Sequence, residues 1–136
     1  MNAPEITPAP HVHHVAVVVA DLEGARHFYV DLLGLREIRR WNDADEKWRS
    51  IWCALGAGAF LAIERAEHQE PRRDDGSPGF HCLALGIRPD ERESWRQRFE
   101  RAGVKVFRES PYTLYVRDPD GNIVGLSHFP DAAGAT

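Results

Sequence analysis

The chain predicts an α+β fold in which one βαβββ unit is used twice, its strands curling into a cupped mixed sheet. Three observations carry that expectation. The stretch HVHHVAVVVADLEGARHFYVDLLGL at residues 11–35 passes from a histidine-led hydrophobic segment through a polar turn into an amphipathic one. The stretch FHCLALGIRPDERESWRQRFERAGVKV at residues 80–106 repeats that plan with different residues. Each is followed by short alternating segments divided by turn residues, the pattern of strands rather than helices.

Residues 1–10 contain three prolines and no periodicity, so a loose arm is expected there. Residues 11–20 are rich in β-branched valine, which suits a strand buried on both faces. Asp21 stands where it can cap the next helix, whose apolar stripe is Leu22, Ala25, Phe28, Tyr29 and Leu32 and whose end is marked by Gly34. Residues 35–41 read as a second strand, with Asn42-Asp43-Ala44-Asp45 as its turn. Residues 47–55 alternate, placing Trp48, Ser50, Trp52 and Ala54 on one face and Arg49, Ile51, Cys53 and Leu55 on the other. Gly56-Ala57-Gly58 is a tight connection to a fourth strand at 59–64, which completes a first module over residues 11–65.

The polar stretch 66–78 reads as a linker between modules. A fifth strand at 80–87, a helix at 90–102 ended by Gly103, and strands at 104–108, 112–117 and 122–129 make the second module, residues 79–130, with a tail at 131–136. Asp118-Pro119-Asp120-Gly121 is the turn before its last strand. One helix covers only one face of a four-stranded sheet. The two bare faces must therefore curl toward each other, within one domain or across a dimer, and the hollow between them is the expected ligand site.

At 43% hydrophobic and 28% charged, the chain has apolar mass for a core and charge for solubility. A net charge of -4 argues against nucleic acid as a partner, because the arginines between Arg88 and Arg108 alternate with glutamates as on a solvated helix face. No apolar run reaches the roughly 18 residues of a membrane span. The two cysteines, Cys53 and Cys82, lie in apolar strand-like runs and read as free thiols facing the helices, which points to the cytoplasm.

The segments HVAVVVADLEGARHFYVDLLGL from His14, GFHCLALGI from Gly79 and YVRDPDGNIVGLSHF from Tyr115 resemble the vicinal oxygen chelate superfamily. That superfamily includes glyoxalase I, methylmalonyl-CoA epimerase, extradiol dioxygenases, fosfomycin-resistance transferases and bleomycin-resistance proteins. The resemblance covers nearly the whole chain after residue 10 and implies the glyoxalase-like fold, a small-molecule ligand and a homodimer. In metal-dependent relatives a histidine opens the first strand, another opens the fifth, and a glutamate lies in the last strand; glyoxalase-like members add a fourth-strand glutamate or glutamine. The histidine places are filled here by His14 and His81, whereas the other two hold Gly125 and Ala62. Glu64, two residues beyond Ala62 on the same strand face, is the substitute carboxylate.

Two functional readings follow. In the first, His14, His81 and Glu64 hold a divalent metal (Fe, Zn, Ni or Mn), with Glu64 as ligand or general base of a lyase, isomerase or dioxygenase. In the second, the chain binds or sequesters its ligand without metal, as bleomycin-resistance proteins do, and the histidines are hydrogen-bonded cavity residues. Trp48, Trp52 and Phe60 line the cup in either case and Tyr115 rims it, favouring flat or hydrophobic ligands. His11, His13 and His128 are placed off the cavity or at its rim.

Overall fold

The computed structural model describes residues 9–69 and 74–132. Its strands are β1 (His14–Val19), β2 (Glu37–Asn42), β3 (Trp48–Gly56), β4 (Ala59–Arg65), β5 (Cys82–Gly86), β6 (Arg108–Glu109), β7 (Thr113–Arg117) and β8 (Ile123–Ser127). Helix α1 (Leu22–Arg26) runs on into a π-helical segment (His27–Leu32), and a 3-10 turn (Pro89–Glu91) leads into α2 (Arg92–Arg101). The strands form two four-stranded mixed sheets, ordered β1-β4-β3-β2 and β5-β8-β7-β6. In each, the module's first strand pairs parallel with its last and the remaining pairs are antiparallel. The βαβββ plan is thus executed twice with the same topology.

Several elements are shorter than the sequence pattern suggests. β1 starts at His14 rather than residue 11 and β5 at Cys82 rather than residue 80, while the sixth strand shrinks to Arg108–Glu109. The expected arm and tail fall mainly on residues 1–8 and 133–136, and part of the linker on 70–73, all outside the described residues. The first helix keeps its cap: Asp21 accepts from the backbone N–H of Glu23 and Gly24. Its phase, however, changes. The wide π turn, closed by Leu33 N–H to Phe28 O at 2.9 Å, buries the adjacent Phe28 and Tyr29 together and adds Leu33 to the core, with Leu32 partly buried against it.

One hydrophobic cluster serves both modules. Val19, Tyr29, Ile51 and Ile63 of the first are continuous with Phe99, Val116, Val124 and Leu126 of the second. Polar ties cross the same seam. Asp118, 4% exposed, accepts the Tyr29 hydroxyl at 2.8 Å, the backbone N–H of Asp120 and Asn122, and the Asn122 side-chain amide. Asp120 accepts the Ala20 N–H on both carboxylate oxygens at 3.1 Å. The DPDG segment is therefore more than a turn: it closes over the end of β1 and locks the second module onto the first.

Candidate functional site: the open faces of the two sheets

Strand alternation decides what each open face displays. In β1, Val17 and Val19 enter the core, leaving His14, Ala16 and Val18 on the open side. In β4, Leu61 and Ile63 are buried in the cluster, so Phe60, Ala62 and Glu64 share the open side. The register sets His14 beside Phe60, Ala16 beside Ala62 and Val18 beside Glu64; across β3, Trp52 sits beside Ala62 and Ser50 beside Glu64. Rings run in contact along this face. His14 stacks on Phe60 at 4.9 Å, Phe60 on Trp52 at 4.4 Å, Trp52 meets Trp41 edge-on at 5.5 Å, and the Arg39 guanidinium covers Trp41 at 3.8 Å. Among the described residues, the buried Trp52 indole N–H meets no hydrogen-bond acceptor.

Trp48 does not join this row, contrary to the alternation of residues 47–55. The β2–β3 register steps from Trp41↔Ser50 to Asn42↔Trp48, which inserts Arg49 as an extra residue in β3. A bulge of that kind turns the side chains beyond it to the other face. The Trp48 ring accordingly packs against the core beneath the Arg40 guanidinium, 4.0 Å away, and lines a hollow of about 320 Å³ with Glu23, Arg26, His27 and Arg40.

The open face of the second sheet is cationic. Arg108 on β6 faces Tyr115 on β7 by register, its guanidinium 4.3 Å from the ring centroid, and it donates to His81 Nε2 at 2.8 Å. Among the described residues no carboxylate pairs with Arg108, whereas Arg117, two residues beyond Tyr115 on β7, is tied to Asp75 at 2.7 Å. Gly125 lies opposite Tyr115 and beside Ala84. A Cβ there would come within 3.0 Å of Thr113 Cγ2 and 3.4 Å of Tyr115 Cε1, so the Tyr115 ring already fills the space above it.

The cysteines divide. Cys53 is fully buried in the core, where burial pushes its thiol up to about 11 and the nearby Glu37 carboxylate adds to the effect. It is no nucleophile at neutral pH. Cys82 alternates with the core-facing Leu83 and Leu85 and so stands on the open side, not against the helices as its neighbours in sequence suggested.

The sequence also missed Arg108. Counted with the arginines of the helix, it emerges from them into a two-residue strand. Only its pairing with Tyr115 shows that it faces the open side.

Comparison with known proteins fits these two sheets. Residues 11–126 match the Glyoxalase/Bleomycin resistance protein/Dioxygenase superfamily. The chain belongs to that family. It is 27% identical over 119 residues, 85% of this chain and 78% of the relative, to the glutathione transferase FosA of Serratia marcescens. It is 26% identical over 122 residues, 83% of this chain and 91% of the relative, to a probable lactoylglutathione lyase of Synechocystis sp.. Among solved structures, a glyoxalase/dioxygenase from Nostoc punctiforme shares the fold with a TM-score of 0.71 at 22% identity, covering 95% of this chain and all of the other. A mutant of the fosfomycin resistance protein FosX from Listeria monocytogenes, complexed with Mn(II) and 1S,2S-dihydroxypropylphosphonic acid, shares it with a TM-score of 0.67 at 21% identity over 87% of this chain and 91% of that one.

Within one copy of the chain, the described residues do not assemble His14, His81 and Glu64 into a three-ligand shell. Among the described residues no three of His, Cys, Asp and Glu gather as a metal site. Glu64 lies four residues along β4 from Phe60, the partner of His14, a displacement of about 13 Å. Its carboxylate instead accepts the Ser50 hydroxyl at 3.3 Å. His81 spends Nε2 on Arg108, and the glutamate place at Gly125 is packed by Tyr115. His14 opens β1 of the first sheet and His81 immediately precedes β5 of the second, each with its own neighbours.

Proposed function

We propose that this chain binds a small organic anion with a flat or apolar body on the open faces of its sheets, without a three-ligand metal centre. The observation that carries the reading is Arg108: a guanidinium seated on Tyr115, hydrogen-bonded to His81 and without an acidic partner among the described residues. Such a group is a donor fork for a carboxylate or phosphonate. The row Trp41, Trp52 and Phe60 offers a stacking surface for the rest of the molecule.

A homodimer belongs to the same proposal. Val18 and Trp41 are 59% and 38% exposed on the open face of the first sheet, and a second copy is the cover that withdraws them from water. The cytoplasm is the compartment that suits its two free thiols.

Titration calorimetry with a panel of small carboxylates and phosphonates tests the reading, with tryptophan fluorescence as a second signal. Arg108→Ala should weaken binding about ten- to hundredfold, the loss of a charge-assisted pair. Equal affinity in wild type and variant, or no binding by either, removes the proposal.

A second reading, a metal-dependent lyase, isomerase or dioxygenase, is favoured by the Mn(II) complex of the FosX relative. It asks that His14 and His81, which belong to different modules, share one ion. Stoichiometric Mn(II) binding that is abolished by His81→Ala would select it over the first.

A further inference from the structure

The donor that the first sheet sets beside His14 is another histidine. His13 Nδ1 and His14 Nδ1 are 2.9 Å apart, with ring centroids separated by 5.2 Å and planes at 77°. Both rings lean on Phe60, His13 edge-on at 5.5 Å and His14 stacked at 4.9 Å. The His13 backbone is held as well, its carbonyl accepting the Phe60 N–H at 3.3 Å. Adjacent residues of a regular strand point to opposite faces. Here His13 precedes the first residue of β1, which leaves its ring free to turn toward its neighbour's.

We propose that His13 and His14 together bind a divalent transition-metal ion through their Nδ1 atoms, at the N-terminal end of β1. With metal–nitrogen bonds of roughly 2.0–2.1 Å, donors at this spacing subtend about 90° at the ion. A tetrahedral zinc would need its donors roughly 3.3 Å apart. The right angle belongs to the square-planar and octahedral environments of Cu(II) and Ni(II), for which imidazole is a suitable ligand. Water fills the remaining positions, and the exposed His11, two residues upstream, is a further imidazole within the same short tract. An ion there would terminate the row of rings that ends in Phe60 and His14. The site uses neither His81 nor Gly125, so it stands whether or not the anion reading does.

The test is a titration of untagged, chelator-stripped protein with Cu(II) and Ni(II) alone, followed by calorimetry and, for copper, by electron paramagnetic resonance. One equivalent is expected to bind with a nitrogen-ligated tetragonal signal. His13→Ala and His14→Ala should each weaken binding at least tenfold, while His81→Ala leaves it unchanged. Both histidines are exposed, so circular dichroism should show the variants folded. The proposal is overturned by an absence of stoichiometric binding, or by an affinity that depends on His81 and not on His13. The anion titration on Arg108→Ala is run without metal, which keeps the two outcomes separate.

Discussion

The two modules follow one topology and present opposite chemistry. On the first sheet the open face is a row of stacked rings from His14 to Trp41, with Arg39 over its end. On the second it is a guanidinium over a phenol, with a glycine where the first sheet carries side chains. Repeating the fold fixed which positions look out of each sheet, and the residues at those positions then made one face a row of rings and the other a guanidinium seated on a phenol.

The seam between the modules offers the hardest test of that comparison. Asp118→Ala removes the acceptor of the Tyr29 hydroxyl and of three N–H donors in a buried place, and should cost about 2–4 kcal/mol. Denaturant unfolding reads the loss directly; an unchanged midpoint would mean that the modules do not depend on this tie. Next in size is Gly125→Glu, which would restore a carboxylate to the second sheet at the expense of Thr113 and Tyr115. The crowding should lower stability by about 1–3 kcal/mol and disturb anion binding, whereas a stable variant with tight Mn(II) binding would show that the space is not filled as described.

The two tryptophans of β3 separate the faces more finely. Trp52→Leu should weaken ligand binding about fivefold through the lost stacking, while Trp48→Leu changes binding less than twofold and lowers thermal stability instead. A ligand that senses Trp48 as strongly as Trp52 would put the bulge in the wrong place. The last effect is a pH dependence confined to the first module's core, absent at neutral pH. Burial raises the Cys53 thiol from its ordinary 9.0 to about 11, so the unfolded chain ionises first as the solution turns alkaline. That contribution is complete below pH 9.0 and lost as pH rises through about 11. Melting temperatures across that window should fall more steeply for wild type than for Cys53→Ala.

Much of this architecture was legible in the chain because local signals and burial agree. Asp21 caps, Gly34 and Gly103 end helices, and the alternation of Leu61 and Ile63 with Phe60 and Ala62 sorts core from open face. The site was less legible. Trp48 was misplaced because one extra residue in β3 reverses a two-residue period, and nothing in the composition of that strand marks the bulge. Leu33 joined Leu32 in the core because π turns carry more residues than the α period assumes.

By itself the sequence determined the twofold βαβββ order, the capped helix, the family resemblance and the two places where metal ligands are replaced by Ala62 and Gly125. The first two depend on periodicity and residue type, which are local properties, and the ligand places are what the resemblance implies. Only the tertiary structure decided that Glu64 is remote from His14, that Arg108 rests on Tyr115 beside His81, that Asp118 bridges to Tyr29, and that His13 turns toward His14. Each of these depends on strand register or on contacts between distant segments, and a register is settled by the packing of the whole sheet rather than by any one of its strands.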